Sequence, residues 1–81
     1  MIPATLQAEK IIDSSGEICP MPILKLSKGI KEIQIGQVLK MIATDPGAEA
    51  DMPAWARQTG NELLDSYKDG ETFIFYFKRA K

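Results

Sequence analysis

The 81-residue chain has no histidine and a single cysteine, Cys19. Without histidine the commonest general base and transition-metal ligand is missing, and a Cys–His nucleophile pair of the protease kind cannot be assembled from this chain alone. One cysteine excludes an internal disulfide, a Cys-x-x-Cys redox pair and a cysteine-rich zinc site, so any disulfide chemistry is shared with a second molecule. No metal site is expected. Apolar runs never approach the roughly 20 residues that cross a bilayer. The opening "MIPATLQA" lacks the basic segment and apolar core of a secretion signal, so the cytoplasm is the expected compartment and no membrane partner is expected. A net charge of −1 argues against nucleic-acid binding through bulk charge, and no direct nucleic-acid partner is expected.

What remains is an ordinary globular composition, 44% hydrophobic and 26% charged. The length suits one small domain near the lower limit for a core without disulfide or metal support. Residues 1–8 read as a flexible N-terminal tail and 9–81 as the single domain.

Along the chain, "KIIDS" (10–14) is a short β-branched strand that runs into a turn at Ser15-Gly16. From Pro20 the apolar period lengthens: Ile23, Leu26, Ile30 and Ile33 form one stripe of a helix, with Lys25, Lys28 and Lys31 toward solvent. Gly29 inside that helix costs up to about 1 kcal/mol relative to alanine, and nothing in the sequence accounts for it. "IGQ" (35–37) ends the helix, and "VLKMIAT" (38–44) follows as a strand with Leu39, Met41 and Ala43 opposite Lys40.

In "TDPGAEADMPAWARQTG", Asp45 reads as a cap and Pro46 as a first helical residue. Pro53, costly in a helix interior, shifts the expected start of the regular helix to about Asp51 and Pro53, with Gly60 as its end. "NELLDSYK" and "ETFIFYFKR" then form a hairpin across Asp69-Gly70. Phe73, Phe75 and Phe77 are expected to face the core together with Trp55, and Ile74 and Tyr76 the other side. The order βαβαββ predicts an α+β two-layer sandwich, both helices on one face of a four-stranded sheet and the other face largely open to water.

The thiol sits in "GEICPMPILKLSKG" (16–29), after a glycine turn and among prolines. With Cys19 as the helix N-cap, Pro20 and Pro22 fall in the first turn, where amides have no intrahelical acceptor. The nearest donors for the sulfur are then the amides of Met21 and Ile23, and together with the helix dipole they favour the thiolate. A dipole effect of about 0.3–2 kcal/mol lowers a thiol pKa near 8.5 by less than about two units. Such a thiolate is both nucleophile and leaving group, the pair of roles that sulfur exchange needs. The bland alternative is a small buried hydrophobe, the usual fate of a lone cysteine.

These residues resemble the CPxP signature of the TusA/SirA-like sulfur-carrier family, with Cys19, Pro20 and Pro22 in place and "IDSSG", Gly36, "TDPGAEADMP" and the terminal hairpin in the family's order. The resemblance implies a sandwich like the C-terminal domain of translation initiation factor 3, with sheet order 1-2-4-3. It implies that Cys19 accepts a sulfane sulfur from a protein donor, a cysteine desulfurase or rhodanese, and passes it to a cysteine of an acceptor protein, with no cofactor besides the covalent persulfide. Such carriers serve tRNA thiolation, molybdenum-cofactor supply or cytoplasmic sulfur oxidation. Gly16, Pro20, Met21, Pro22 and Ile23 then support the motif, while Asp45, Asp51, Pro53, Lys25 and Lys28 are candidates for the rim or for partner contacts. The chain departs from some members in having Met21 between the prolines and Ser27 in the helix, where those members carry an acid and an arginine. The alternatives are a nucleic-acid-binding module, suggested by the lysine face, and a non-catalytic regulatory interaction module.

Overall fold

The β-branched run Lys10–Ser14 forms β1, and the change of period after it forms α1, Met21–Ile30. These are followed by β2 (Val38–Ala43), α2 (Ala48–Thr59), β3 (Glu62–Asp69) and β4 (Thr72–Lys78) in a computed structural model that describes residues 8–18 and 21–80. Most of the expected N-terminal tail, residues 1–7, lies outside the described residues. The sheet has four strands in the order β1-β2-β4-β3. β1 and β2 are parallel across the α1 crossover, whereas β4 runs antiparallel to both β2 and β3. The hairpin turns at Gly70, whose φ of 63° is open to glycine at little cost.

Alternation in the strands and the helical stripe converge on one interior. Leu39, Met41 and Ala43 of β2 and Phe73, Phe75 and Phe77 of β4 meet Leu26 and Ile30 of α1 and Met52 and Trp55 of α2. Trp55 stands edge-on to Phe77, with ring centroids 5.2 Å apart. Its indole Nε1 donates to Ser27 Oγ at 2.8 Å, tying the two helices together. Gly29 is buried on the sheet side of α1.

Two expectations about the second helix need correction. The second helix begins at Ala48, not near Asp51 and Pro53, and Pro53 sits inside it. Asp45 does not cap this helix. Its Oδ1 accepts from the Gly47 amide at 3.2 Å, making a turn one step earlier, and Gly47 occupies the cap position with no side-chain bond. The missing Pro53 amide frees the carbonyl of Glu49, and that residue is exposed, so water can take up the lost bond. The C-terminal expectation agrees with the structure: Gly60 adopts φ 78° and donates its amide to Ala56 O at 3.0 Å.

The helix-free face of the sheet is also less open than its pattern suggests, because Ile74 and Tyr76 are buried. Each lies in the middle of a row of side chains: Ile42, Ile74 and Tyr67 in one, Lys40, Tyr76 and Asp65 in the next. The Lys40 ammonium lies 5.9 Å from the centre of the Tyr76 ring. A central strand's side chains are thus shielded by those of its neighbours even without a second layer.

Candidate functional site

Cys19 and Pro20 lie outside the described residues, and so does the expected N-cap position of the thiol. The described residues on either side, up to Ile18 and from Met21, belong to the β1–α1 connection and to α1. On the incoming side the chain is fastened at three successive points. Ser14, buried at the end of β1, donates its hydroxyl to Ile42 O at 2.7 Å. The Gly16 amide donates to Thr44 Oγ1 at 2.7 Å, and the Glu17 amide donates to Ser14 O at 3.0 Å. Gly16 has φ 82° with open space around it, so the positive φ, not crowding, selects glycine there.

The outgoing side is α1. Pro22 is fully buried and seats the first turn, while Ile23 packs against the core edge. The Met21 amide donates to Ile18 O at 3.0 Å. This corrects the sequence expectation that the Met21 amide serves the sulfur: it is engaged in a bond to the backbone three residues earlier. Around this point the surface is apolar: Ile18 is 73% exposed, Leu24 55% and Met21 44%.

The candidate rim residues separate into those the fold gathers and those it does not. Asp45 and Asp51 line one cleft with Pro22, Ile23, Ala48 and Met52, between the first turn of α1 and the start of α2. Lys25 reaches back over the connection and pairs with Glu17, Nζ to Oε1 at 2.7 Å. Lys25 also helps to lower the pKa of Asp13, for which the main cause is a hydrogen bond from the Ser15 side chain, followed by the Ser15 amide at 2.9 Å. Lys28 lies in the last turn of α1 and Pro53 beyond the cleft, and neither joins the group. Ser14, Glu17 and Thr44 were not singled out from the sequence. Serine, glutamate and threonine at strand ends and turns carry no signal of a tertiary partner.

Electrostatically the arrangement has opposing parts. The start of a helix favours an anion, whereas carboxylates on the neighbouring cleft wall disfavour one. Among the described residues no cluster of acidic side chains could hold a metal ion, and no helix is long and apolar enough to cross a membrane.

A four-stranded mixed sheet backed by two helices, with the thiol motif at the first crossover, defines a SirA-like α+β fold. The architecture is shared with the crystal structure of a SirA-like protein from Desulfitobacterium hafniense, TM-score 0.76 and 19% identity, covering 89% of this chain and 99% of that one. Residues 10–79 match the family model described as sulfurtransferase TusA. The chain is 48% identical to the sulfur carrier protein TusA of Allochromatium vinosum over 85% of its own length and 91% of that protein. It is 35% identical to a putative sulfur carrier protein of Bacillus subtilis over 93% of this chain and 100% of that one. The chain belongs to the TusA family of sulfur carriers.

Proposed function

We propose that Cys19 is the sulfur-carrying residue and that it carries sulfur as a persulfide between two proteins. The Cys19 thiolate attacks the terminal sulfur of a donor persulfide; a new S–S bond forms as the donor's S–S bond breaks, and the donor cysteine leaves as a thiolate. In the second half an acceptor thiolate attacks the terminal sulfur on Cys19, and Cys19 departs as a thiolate. Each transfer conserves electrons, so the relay needs no oxidant, reductant or cofactor. The observation that carries this reading is the lone thiol itself: in a sulfur-carrier family, a chain with no other cysteine and no histidine has one side chain able to hold transferable sulfur.

The apolar collar of Ile18, Met21 and Leu24 supports docking of protein partners around the thiol. The donor is a cysteine desulfurase or a rhodanese. The acceptor belongs to tRNA thiolation, molybdenum-cofactor supply or sulfur oxidation, and the relay works in the cytoplasm.

Mass spectrometry after incubation with a persulfide donor tests the carrier step. The wild type is expected to gain one sulfur, about 32 Da, which dithiothreitol removes and which an acceptor thiol takes over. Retention of the gain in Cys19→Ser would falsify the assignment.

A further inference from the structure

At the end of the helix pair away from the first turn of α1, a cavity of about 300 Å³ opens between the last turns of α1 and α2 and the end of β4. That volume is at the lower bound for small-molecule sites. Its walls are Ile30, Lys31, Trp55, Thr59, Asn61 and Arg79, with Ser27 behind the indole. Among the described residues no carboxylate lines it, although acids outnumber bases in the chain, 11 to 10.

The polar wall is built rather than loose. Thr59 donates its hydroxyl to Trp55 O at 2.8 Å, and Asn61 Nδ2 donates to Thr59 Oγ1 at 3.0 Å. The Ala80 amide donates in turn to Asn61 Oδ1 at 3.0 Å. Arg79 Nη1 donates to Ile33 O at 2.5 Å, with Lys31 O at 3.5 Å, so the guanidinium stands over carbonyls just past the end of α1. Those carbonyls offset part of its charge. Lys31 forms no ion pair with any described residue. Ile30 and the Trp55 ring give an anion at the Lys31 ammonium an apolar neighbour.

We propose that this cavity binds a small organic carboxylate with an apolar body, the carboxylate at Lys31 and Arg79 and the body against Ile30 and Trp55. The site is separate from the thiol motif and does not depend on Cys19.

The single tryptophan supplies the readout, because its indole N–H gives one resonance in a ¹H–¹⁵N spectrum. Titration with benzoate is expected to shift that resonance saturably with a Kd on the order of 1 mM, the range for a ligand of so few atoms. Lys31→Gln, an exposed position that leaves the fold intact, is expected to weaken benzoate about fivefold or more. Lys28→Gln and Cys19→Ser are expected to bind as the wild type does. Inorganic phosphate and benzamide are expected to bind at least about fivefold more weakly than benzoate. Absence of saturation, equal binding of benzamide, or wild-type affinity in Lys31→Gln would overturn the site. Phosphate binding as tight as that of benzoate would overturn the organic ligand.

Discussion

Gly29 of α1 lies directly against Ile12 of β1: a Cβ at Gly29 would collide with Ile12 Cδ1 and press on Leu39 Cδ1 at 3.3 Å. The glycine lets the helix pack this close to the sheet, which accounts for a residue that helix propensity alone disfavours.

Replacing it measures that contact. Gly29→Ala gains about 1 kcal/mol of helix propensity but forces overpacking that costs about 1–3 kcal/mol. A net loss of about 1 kcal/mol is expected in urea denaturation, and Ile12→Val in the same chain is expected to restore most of it. A more stable Gly29→Ala would show that the helix can withdraw freely from the sheet.

Ser14→Ala removes the buried hydroxyl that bonds Ile42 O and deprives that carbonyl of this donor at the edge of the thiol connection. A loss of about 1–2 kcal/mol is expected. Faster hydrogen exchange at the Gly16 and Glu17 amides, which are fastened just beyond it, would accompany the loss.

Asp13 provides a pH test. Its folded-state pKa is lowered from 3.8, first by the Ser15 side chain, then by the Ser15 amide, with Lys25 contributing. A lowered carboxyl pKa means that the turn at Ser15 is supported above the unfolded-state value and loses support as pH falls through the folded-state value. Carboxyl NMR is expected to show Asp13 titrating below 3.8 in the wild type and closer to it in Ser15→Ala. An unchanged midpoint in Ser15→Ala would refute the hydrogen bond as the cause.

Asp51→Asn tests the opposing charges at the thiol end of α1. Removing one carboxylate from the cleft that includes Pro22 takes away an influence that disfavours the thiolate. The Cys19 thiol pKa is expected to fall. The pH profile of iodoacetamide alkylation reads it directly. A rise in pKa would mean that Asp51 acts on the thiolate through something other than its charge.

Much of the fold was legible because it follows from local periods. β1 at Lys10–Ser14, the Leu39, Met41 and Ala43 face of β2, the phenylalanine stripe of β4 and the Gly60 stop each depend on residues close in sequence, as do the hairpin at Gly70 and the Cys-Pro-Met-Pro run that carried the family resemblance. The start of α2 was misread because Pro53 is a strong local signal, whereas the exposure of Glu49 lets water take up the bond that an interior proline forgoes.

What the chain alone determined, then, is the order of elements, the composition of the core and a single thiol two residues ahead of the first helix. Those are set by side-chain periodicity, turn chemistry and the absence of any second cysteine or histidine. Tertiary structure decided why Gly29 is glycine, that Ile74 and Tyr76 are shielded, and that Ser14, Thr44 and Glu17 hold the approach to the thiol. It also decided that Asp45 and Asp51 share a cleft with Pro22, and that Lys31 and Arg79 share a cavity. Each of these is a meeting of residues distant along the chain, and strand register and helix packing, not local pattern, set which of them meet.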